Sequence, residues 1–231
     1  MLVLHWGHSQ GDRVVRTVEL PVGEAVPVLG LGTWHMGENA QRFDQEVAAV
    51  RYAIERGVRL IDTAEMYADG GAERVVGEAA RNCRDDLFIV SKVYPHNATY
   101  DGAIKACERS LRRLGTDRID LYLLHWRGSV PFAETLDAFG TLQASGKIRA
   151  FGVSNFDATD MAEWWSCPGG EASVVNQVLY NLGRRGVEWD VAPGCRDRGV
   201  PVMAYSPLEQ GRLQDAPALI KLAERHAATP L

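Results

Sequence analysis

The sequence predicts an α/β fold: a (β/α)8 TIM barrel preceded by a β-hairpin, with seven strand-helix units present in the chain. Three observations point there. Short runs rich in Val, Ile and Leu alternate with segments whose apolar residues recur at helical spacing. The apolar runs are nearly continuous, as strands buried on both faces require, and strict strand-helix alternation forces parallel order. Seven such units in 231 residues suit a barrel, which typically runs to roughly 250 residues, better than an open sheet.

The elements follow in order. "RTVELPVGEAVPVL" alternates polar and apolar residues around Val22, Gly23 and Glu24, and reads as a short hairpin that plugs the bottom of the barrel. "VPVLGLGTW" is the first barrel strand, and Phe43 to Arg56 the first helix, with Val47, Val50 and Ile54 on one face and Gly57 as its stop. "VRLIDTA" with Ala72 to Arg81 is the second unit, "LFIVSKV" with Ala103 to Leu114 the third, and "IDLYLLHW" with Phe132 to Ala144 the fourth. "IRAFGVSN" with Thr159 to Trp165, "ASVVNQVLYN" with Glu188 to Arg198, and "VPVMAYSPL" with Pro217 to Ala227 complete the series.

Composition narrows the function classes. The chain is 46% hydrophobic and 24% charged without a long apolar run, which describes one soluble globular domain over 1–231, with 1–15 as a flexible extension. The net charge is -5 and the Lys and Arg residues are scattered among acids, so nothing marks a nucleic-acid or anionic-membrane surface. "MLVLHWGHSQGDR" has too short an apolar start for a signal peptide, and a cytoplasmic protein is expected. His5 and His8 at a frayed terminus could clip a stray metal ion, but Cys83, Cys107, Cys167 and Cys195 lack metal-ligand spacing. They read as reduced packing thiols, and no metal site is expected.

The rival open nucleotide-binding sheet fails on its fingerprint. GxGxxG requires a third glycine, and "GLGTWHMG" has Gly30 and Gly32 but His35 in that place. A Walker loop is missing too: "ASGKIR" offers Gly146 and Lys147 without the earlier glycine or a following Ser or Thr.

In a parallel barrel, polar residues at the C-terminal ends of different strands converge on one pocket. Here those ends carry Asp62, Lys92, His125, Ser154 with Asn155, Gln177, and Tyr205 with Ser206. Each has a plain explanation: Asp62 and Tyr67 as part of a capped turn, Lys92 as a solvated strand end, His125 as a satisfied core histidine, Asn155 as a helix cap, Gln177 as a buried amide. Together these explanations fail, because unpartnered buried polar groups are costly and packing gives no reason to gather them at one end.

The stretches "GLGTW", "IDTAEMYADGGAERVVGEA", "IVSKV", "LGTDRIDLYLLHW", "GKIRAFGVSNF", "NQVLYN" and "AYSPL" resemble the aldo-keto reductases, bacterial-type members in particular, in order and spacing from Arg16 onward. The resemblance implies an NAD(P)H-dependent reductase of aldehydes and ketones. It places a catalytic tetrad on Asp62, Tyr67, Lys92 and His125: Asp62 keeps Lys92 charged, Lys92 lowers the pKa of Tyr67, Tyr67 donates the proton, and a neutral His125 orients the carbonyl. It implies NADPH as the usual cofactor, with NADH possible, gripped by Thr33, Asp62, Ser154, Asn155 and Gln177, stacked on Tyr205, and closed over by Ser206, Pro207, Leu208 and Gln210. Substrate contacts would come from Trp34, Tyr67, His125 and Trp126, although either tryptophan fits a core equally well. Arg127, where many members carry proline, is expected in solvent.

Relatives of this kind continue past "LAERHAATPL" into an eighth strand and helix, with the residues that hold the adenosine 2′-phosphate. The expectation is therefore a portion of a longer chain, or a truncated product completed by swapping, and a monomer or weak oligomer acting on a small aldehyde or ketone. The alternative is a non-catalytic cofactor- or partner-binding barrel, or an inactive truncated chain.

Overall fold

The computed structural model describes residues 16–230. The extension expected at 1–15, with His5 and His8, lies outside the described residues.

The hairpin pairs β1 (Thr17–Glu19) antiparallel with β2 (Ala25–Pro27). Its turn uses Gly23 at φ 78, a left-handed conformation that costs glycine little. Leu20 and Val26 are buried against Leu60, Phe88, Val90 and Leu121, so the hairpin does close one end of the barrel interior. Arg149 bridges to Glu24 at 2.7 Å and ties the turn down.

The barrel strands are β3 (Gly30–Gly32), β4 (Leu60–Asp62), β5 (Phe88–Val93), β6 (Ile119–Leu124), β7 (Ile148–Ser154), β8 (Asn176–Leu179) and β9 (Val202–Tyr205). They form one seven-stranded parallel sheet in sequence order. The helices between and after them are α1 (Phe43–Glu55), α2 (Gly71–Ala80), α3 (Tyr100–Leu114), α4 (Phe132–Ala144), α5 (Ala158–Ser166), α6 (Val191–Asp197) and α7 (Pro217–Arg225). The sheet curls until Gln177 on β8 reaches Asp62 on β4 at 2.7 Å, the geometry of a nearly closed barrel. Central strands β5 and β6 are buried at every position, while Ala204 on β9 and both glycines of β3 are exposed at the sheet's two edges.

Local chemistry sets the helix ends. Thr99 caps α3 by accepting from the Gly102 N–H at 3.2 Å, which starts that helix three residues earlier than the apolar pattern indicates. Gly115 ends it at φ 64. The cap of α5 is Asp157, which accepts from the Asp160 N–H, so Asn155 does not serve as a helix cap.

Two apolar layers result. Val47, Val50, Val75, Ile89, Leu111, Tyr122, Phe139 and Trp164 pack between helices and sheet, and Phe88, Val90, Leu121, Leu123, Ala150 and Val175 fill the barrel. Successive strand side chains point to opposite faces. The inward set on β5 is therefore Phe88, Val90 and Lys92; on β6 it continues past Leu121 and Leu123 to His125; on β7 it passes from Ala150 to Ser154. On each of these three strands the inward series ends on a polar residue.

Some of the basic residues that are scattered in the sequence meet in the fold. Arg74 from α2 and Arg109, Arg112 and Arg113 from α3 line one hollow of about 340 Å³ on the outside of the barrel. Residues distant in sequence meet there because α2 and α3 pack side by side.

Candidate active site

Lys92 is the centre of the site. Its side chain is fully buried, and its Nζ donates to Asp62 Oδ1 at 2.7 Å, to the Thr63 carbonyl at 2.9 Å and to the Tyr67 hydroxyl at 3.3 Å. The ammonium thus spends its three protons on three acceptors. Burial alone would lower the Lys92 pKa, but the Asp62 carboxylate and the Tyr67 hydroxyl outweigh it and leave the pKa raised. The other oxygen of Asp62 accepts from Gln177 Nε2 at 2.7 Å, so this carboxylate is hydrogen-bonded on both sides.

Tyr67 departs from the expectation of a lowered pKa. Burial raises it, Lys92 lowers it, Asp62 raises it again, and the net direction is up. Lys92 therefore acts as expected, but desolvation of the phenolate outweighs it. The Tyr67 and His125 rings meet edge to face, 5.8 Å apart. His125 Nδ1 is buried without a hydrogen-bond partner, and burial together with the Lys92 charge pushes the imidazole pKa down to about 3. The ring is neutral at physiological pH.

A second group sits beside these residues. Asn155, left-handed at φ 59, donates to the His125 carbonyl at 3.0 Å and to Ser154 Oγ at 3.1 Å, and accepts from the Tyr205 hydroxyl at 2.8 Å. Ser154 Oγ donates in turn to the Gln177 carbonyl at 2.8 Å. The Tyr205 ring is fixed at its hydroxyl end, and both donors of the Asn155 amide are consumed within the protein. A ligand amide can still donate to the remaining lone pair of Asn155 Oδ1. A flat ring held at one edge and amide oxygens at the barrel mouth fit a nicotinamide and its carboxamide.

Other anticipated residues fall around this mouth. Thr33 is buried and donates to the Asp62 carbonyl at 3.0 Å. Trp126 packs on Tyr94 at 4.9 Å and on His125 at 4.8 Å. Trp34 is 53% exposed and stacks on His35, so a role in the core does not describe it. After β9, Pro207, Leu208 and Gln210 are exposed, in a segment where Ser206, Glu209 and Gln210 all have left-handed backbone. Asn181, Arg212 and Arg184 hydrogen-bond the Glu209 carboxylate and hold it below the usual carboxylate range. Asn181 also donates to the Ser206 carbonyl at 3.0 Å, tying this segment to the loop after β8.

Arg127 is exposed, as expected, and there it contacts Glu163 at 2.7 Å and Asp160 at 3.2 Å, with its guanidinium 4.6 Å from the centre of the Phe132 ring. It links the loop after β6 to α5. Sequence reasoning also passed over Tyr94, Met203, whose sulfur lies 3.0 Å from Gln177 Nε2, and the buried acids Glu65 and Glu73.

A separate hollow of about 680 Å³ lies on the outside of the barrel at α1 and α2, lined by Phe43, Tyr52 and charged residues that include the Arg51–Glu78 ion pair. Among the described residues no cluster of His, Cys, Asp or Glu is suited to a metal ion, and no helix is long and apolar enough to cross a membrane.

A parallel barrel with a buried lysine, a tyrosine, a carboxylate and a neutral histidine gathered at its mouth is suited to passing a proton to a bound polar substrate. The aldo/keto reductase family model matches residues 28–226, and this chain belongs to that family. It is an NAD(P)H-dependent carbonyl-reducing enzyme by that membership. The chain is 59% identical over 192 residues to methylglyoxal reductase YeaE of Escherichia coli, covering 83% of this chain and 68% of the relative. It is 36% identical to glyoxal reductase of Bacillus subtilis over 213 residues, 91% of this chain and 74% of that one. Its fold matches the aldo/keto reductase of Klebsiella pneumoniae in complex with NADP and acetate, with a TM-score of 0.90 and 51% identity over 94% of this chain and 78% of that one.

Proposed function

We propose that this protein reduces small dicarbonyls of the methylglyoxal and glyoxal type with NADPH, using Tyr67 as the proton donor. The observation that carries the reading is the buried Lys92 ammonium held between the Asp62 carboxylate at 2.7 Å and the Tyr67 hydroxyl at 3.3 Å. The names of the relatives support the substrate class, and the NADP complex of the Klebsiella protein supports the cofactor choice.

The bound cofactor supplies the hydride; the rest is the work of this chain's residues. Tyr67 keeps its proton in the resting site because burial raises its pKa. An alkoxide developing on the substrate is a far stronger base than a phenolate, so the proton leaves Tyr67 as the carbonyl is reduced. Lys92 stabilises the phenolate left behind, and Asp62 prevents Lys92 from losing its charge. His125, neutral, offers an N–H to the carbonyl oxygen and fixes its direction. Ser154, Asn155 and Gln177 would hold the cofactor carboxamide, Tyr205 would stack on the ring, and Thr33, Ser206, Pro207, Leu208 and Gln210 would contact the remainder. Trp34 and Trp126 wall the substrate side.

Loss of reduced-cofactor absorbance in the presence of methylglyoxal tests this. Tyr67→Phe should lower kcat by about 10²–10⁴-fold while still quenching on NADPH binding. Equal rates for wild type and Tyr67→Phe would end the assignment, and parallel titrations with NADPH and NADH decide the cofactor preference.

A further inference from the structure

We propose that two buried carboxylates, Glu65 and Glu73, are positioning residues that clamp the Tyr67 loop to the strand carrying Lys92. The inference rests on the reading of Tyr67 as proton donor, and it concerns what sets the Tyr67–Lys92 separation.

The loop is not one that holds its own shape. Ala68, Asp69 and Gly70, directly after Tyr67, have φ of 50, 49 and 81. Successive left-handed residues are strained wherever they carry a Cβ, and such strain persists only where the surroundings impose it. Glu65, two residues before Tyr67, accepts from the Tyr94 N–H at 2.8 Å and from Asn97 Nδ2 at 2.9 Å, and pairs with Arg109 at 3.3 Å. Glu73, six residues after Tyr67, accepts from Ser91 Oγ at 2.7 Å and pairs with Arg113 at 3.0 Å.

The partners lie on both sides of the catalytic lysine in the chain. Ser91 immediately precedes Lys92, and Tyr94 follows it by two residues. The arginines are four apart on α3 and so share one helix face, backing both carboxylates. The Arg113 side chain also lies directly against the Cα of Gly70, where an added Cβ would displace it. The loop is held before Tyr67, after it, and from behind. Arg109 and Arg113 keep both acids charged in the interior, where an unpaired carboxylate is expensive.

A purely structural pair of salt links from Glu65 and Glu73 to α3 would affect stability alone. The clamp predicts more. Ser91→Ala cuts the tether between β5 and α2 while leaving Glu73 paired with Arg113, so no charge is stranded. It should lower kcat about tenfold, with KM for methylglyoxal and the NADPH affinity unchanged. The Tyr67 phenol, followed by ¹³C labelling at Cζ and assigned with Tyr67→Phe, should titrate at higher pH than in wild type, because Lys92 is then further from it. The other groups facing the phenol, Asp62, His125 and Tyr205, are the same in both proteins. Glu73→Gln should act in the same direction and more strongly.

Ser91→Ala and Glu73→Gln proteins that bind NADPH normally, with wild-type kcat and Tyr67 titration, would overturn the clamp. If Glu73→Gln fails to fold, Ser91→Ala decides alone. A wild-type protein that reduces no carbonyl would refute the functional reading, and the Tyr67 titration would still decide the clamp.

Discussion

Gln177 donates its side-chain amide to Asp62 across 2.7 Å, joining β8 to β4 over the barrel mouth. This fixes the carboxylate whose other oxygen holds Lys92. Asp62→Asn leaves a fully buried ammonium without its counter-ion, a change that typically destabilises by about 3–5 kcal/mol. Urea unfolding at neutral pH measures it. A loss under about 1 kcal/mol would mean that Lys92 is held by other groups. Gln177→Met strands no charge and should cost less stability, while weakening NADPH binding.

Arg127 binds Asp160 and Glu163 and covers Phe132, next in the chain to Trp126. Its ion pairs are open to solvent and screened, so Arg127→Gln should move the melting temperature little. The loop after β6 loses its tie to α5, and KM for methylglyoxal should rise several-fold with kcat nearly unchanged. Steady-state kinetics at low and high salt check this: the wild type should approach the variant's KM as salt rises, and a salt-independent KM would contradict it.

The alternation of inward and outward positions makes much of the mouth legible in the amino-acid sequence. Asp62, Lys92, His125, Ser154 and Tyr205 lie at the ends of apolar runs and Gln177 lies within one, and a side-chain period of two places all of them on the lumen side. The role of Asn155 is half visible there: its position at a strand end can be read, but its left-handed backbone and its bond to Tyr205, fifty residues on, cannot. Glu65 and Glu73 are hidden for a stronger reason. In sequence they are ordinary acids in a loop and a first helical turn, and only the packing of α3, with Arg109 and Arg113 some forty residues away, makes them buried and paired. The surface partners of Arg127 are hidden as well, because they lie on the next helix but one in the chain. The Tyr67 pKa direction misleads because it depends on burial, which no motif specifies.

The cysteines divide by burial. Cys107 is inaccessible, and desolvation pushes its pKa up to about 12; Cys195 is also buried, and burial raises its pKa as well. Cys83 and Cys167 are partly exposed. Because the thiolate is the nucleophile, iodoacetamide at pH 8 should alkylate Cys83 and Cys167 in the native protein, and Cys107 and Cys195 only after denaturation. Peptide mass mapping reads the pattern. Native labelling of Cys107 would contradict its burial on the core-facing side of α3.

His125 gives the acid limb of stability a definite sign. Its folded pKa of about 3 lies below the ordinary 6.5. Between those values the unfolded chain binds a proton at this site and the native protein does not, so stability increases with pH across the window. The contribution is complete above pH 6.5 and is lost as pH falls toward 3, with a slope of at most about 1.4 kcal/mol per pH unit from this one group. His125→Gln removes that slope. The urea-unfolding free energy of wild type relative to the variant should therefore fall steadily between pH 6.5 and pH 4.5. Parallel curves would contradict the low pKa, and so would an imidazole resonance that titrates above pH 5 in the folded protein. Either result would also remove the basis for treating His125 as a neutral hydrogen-bond donor to the carbonyl oxygen.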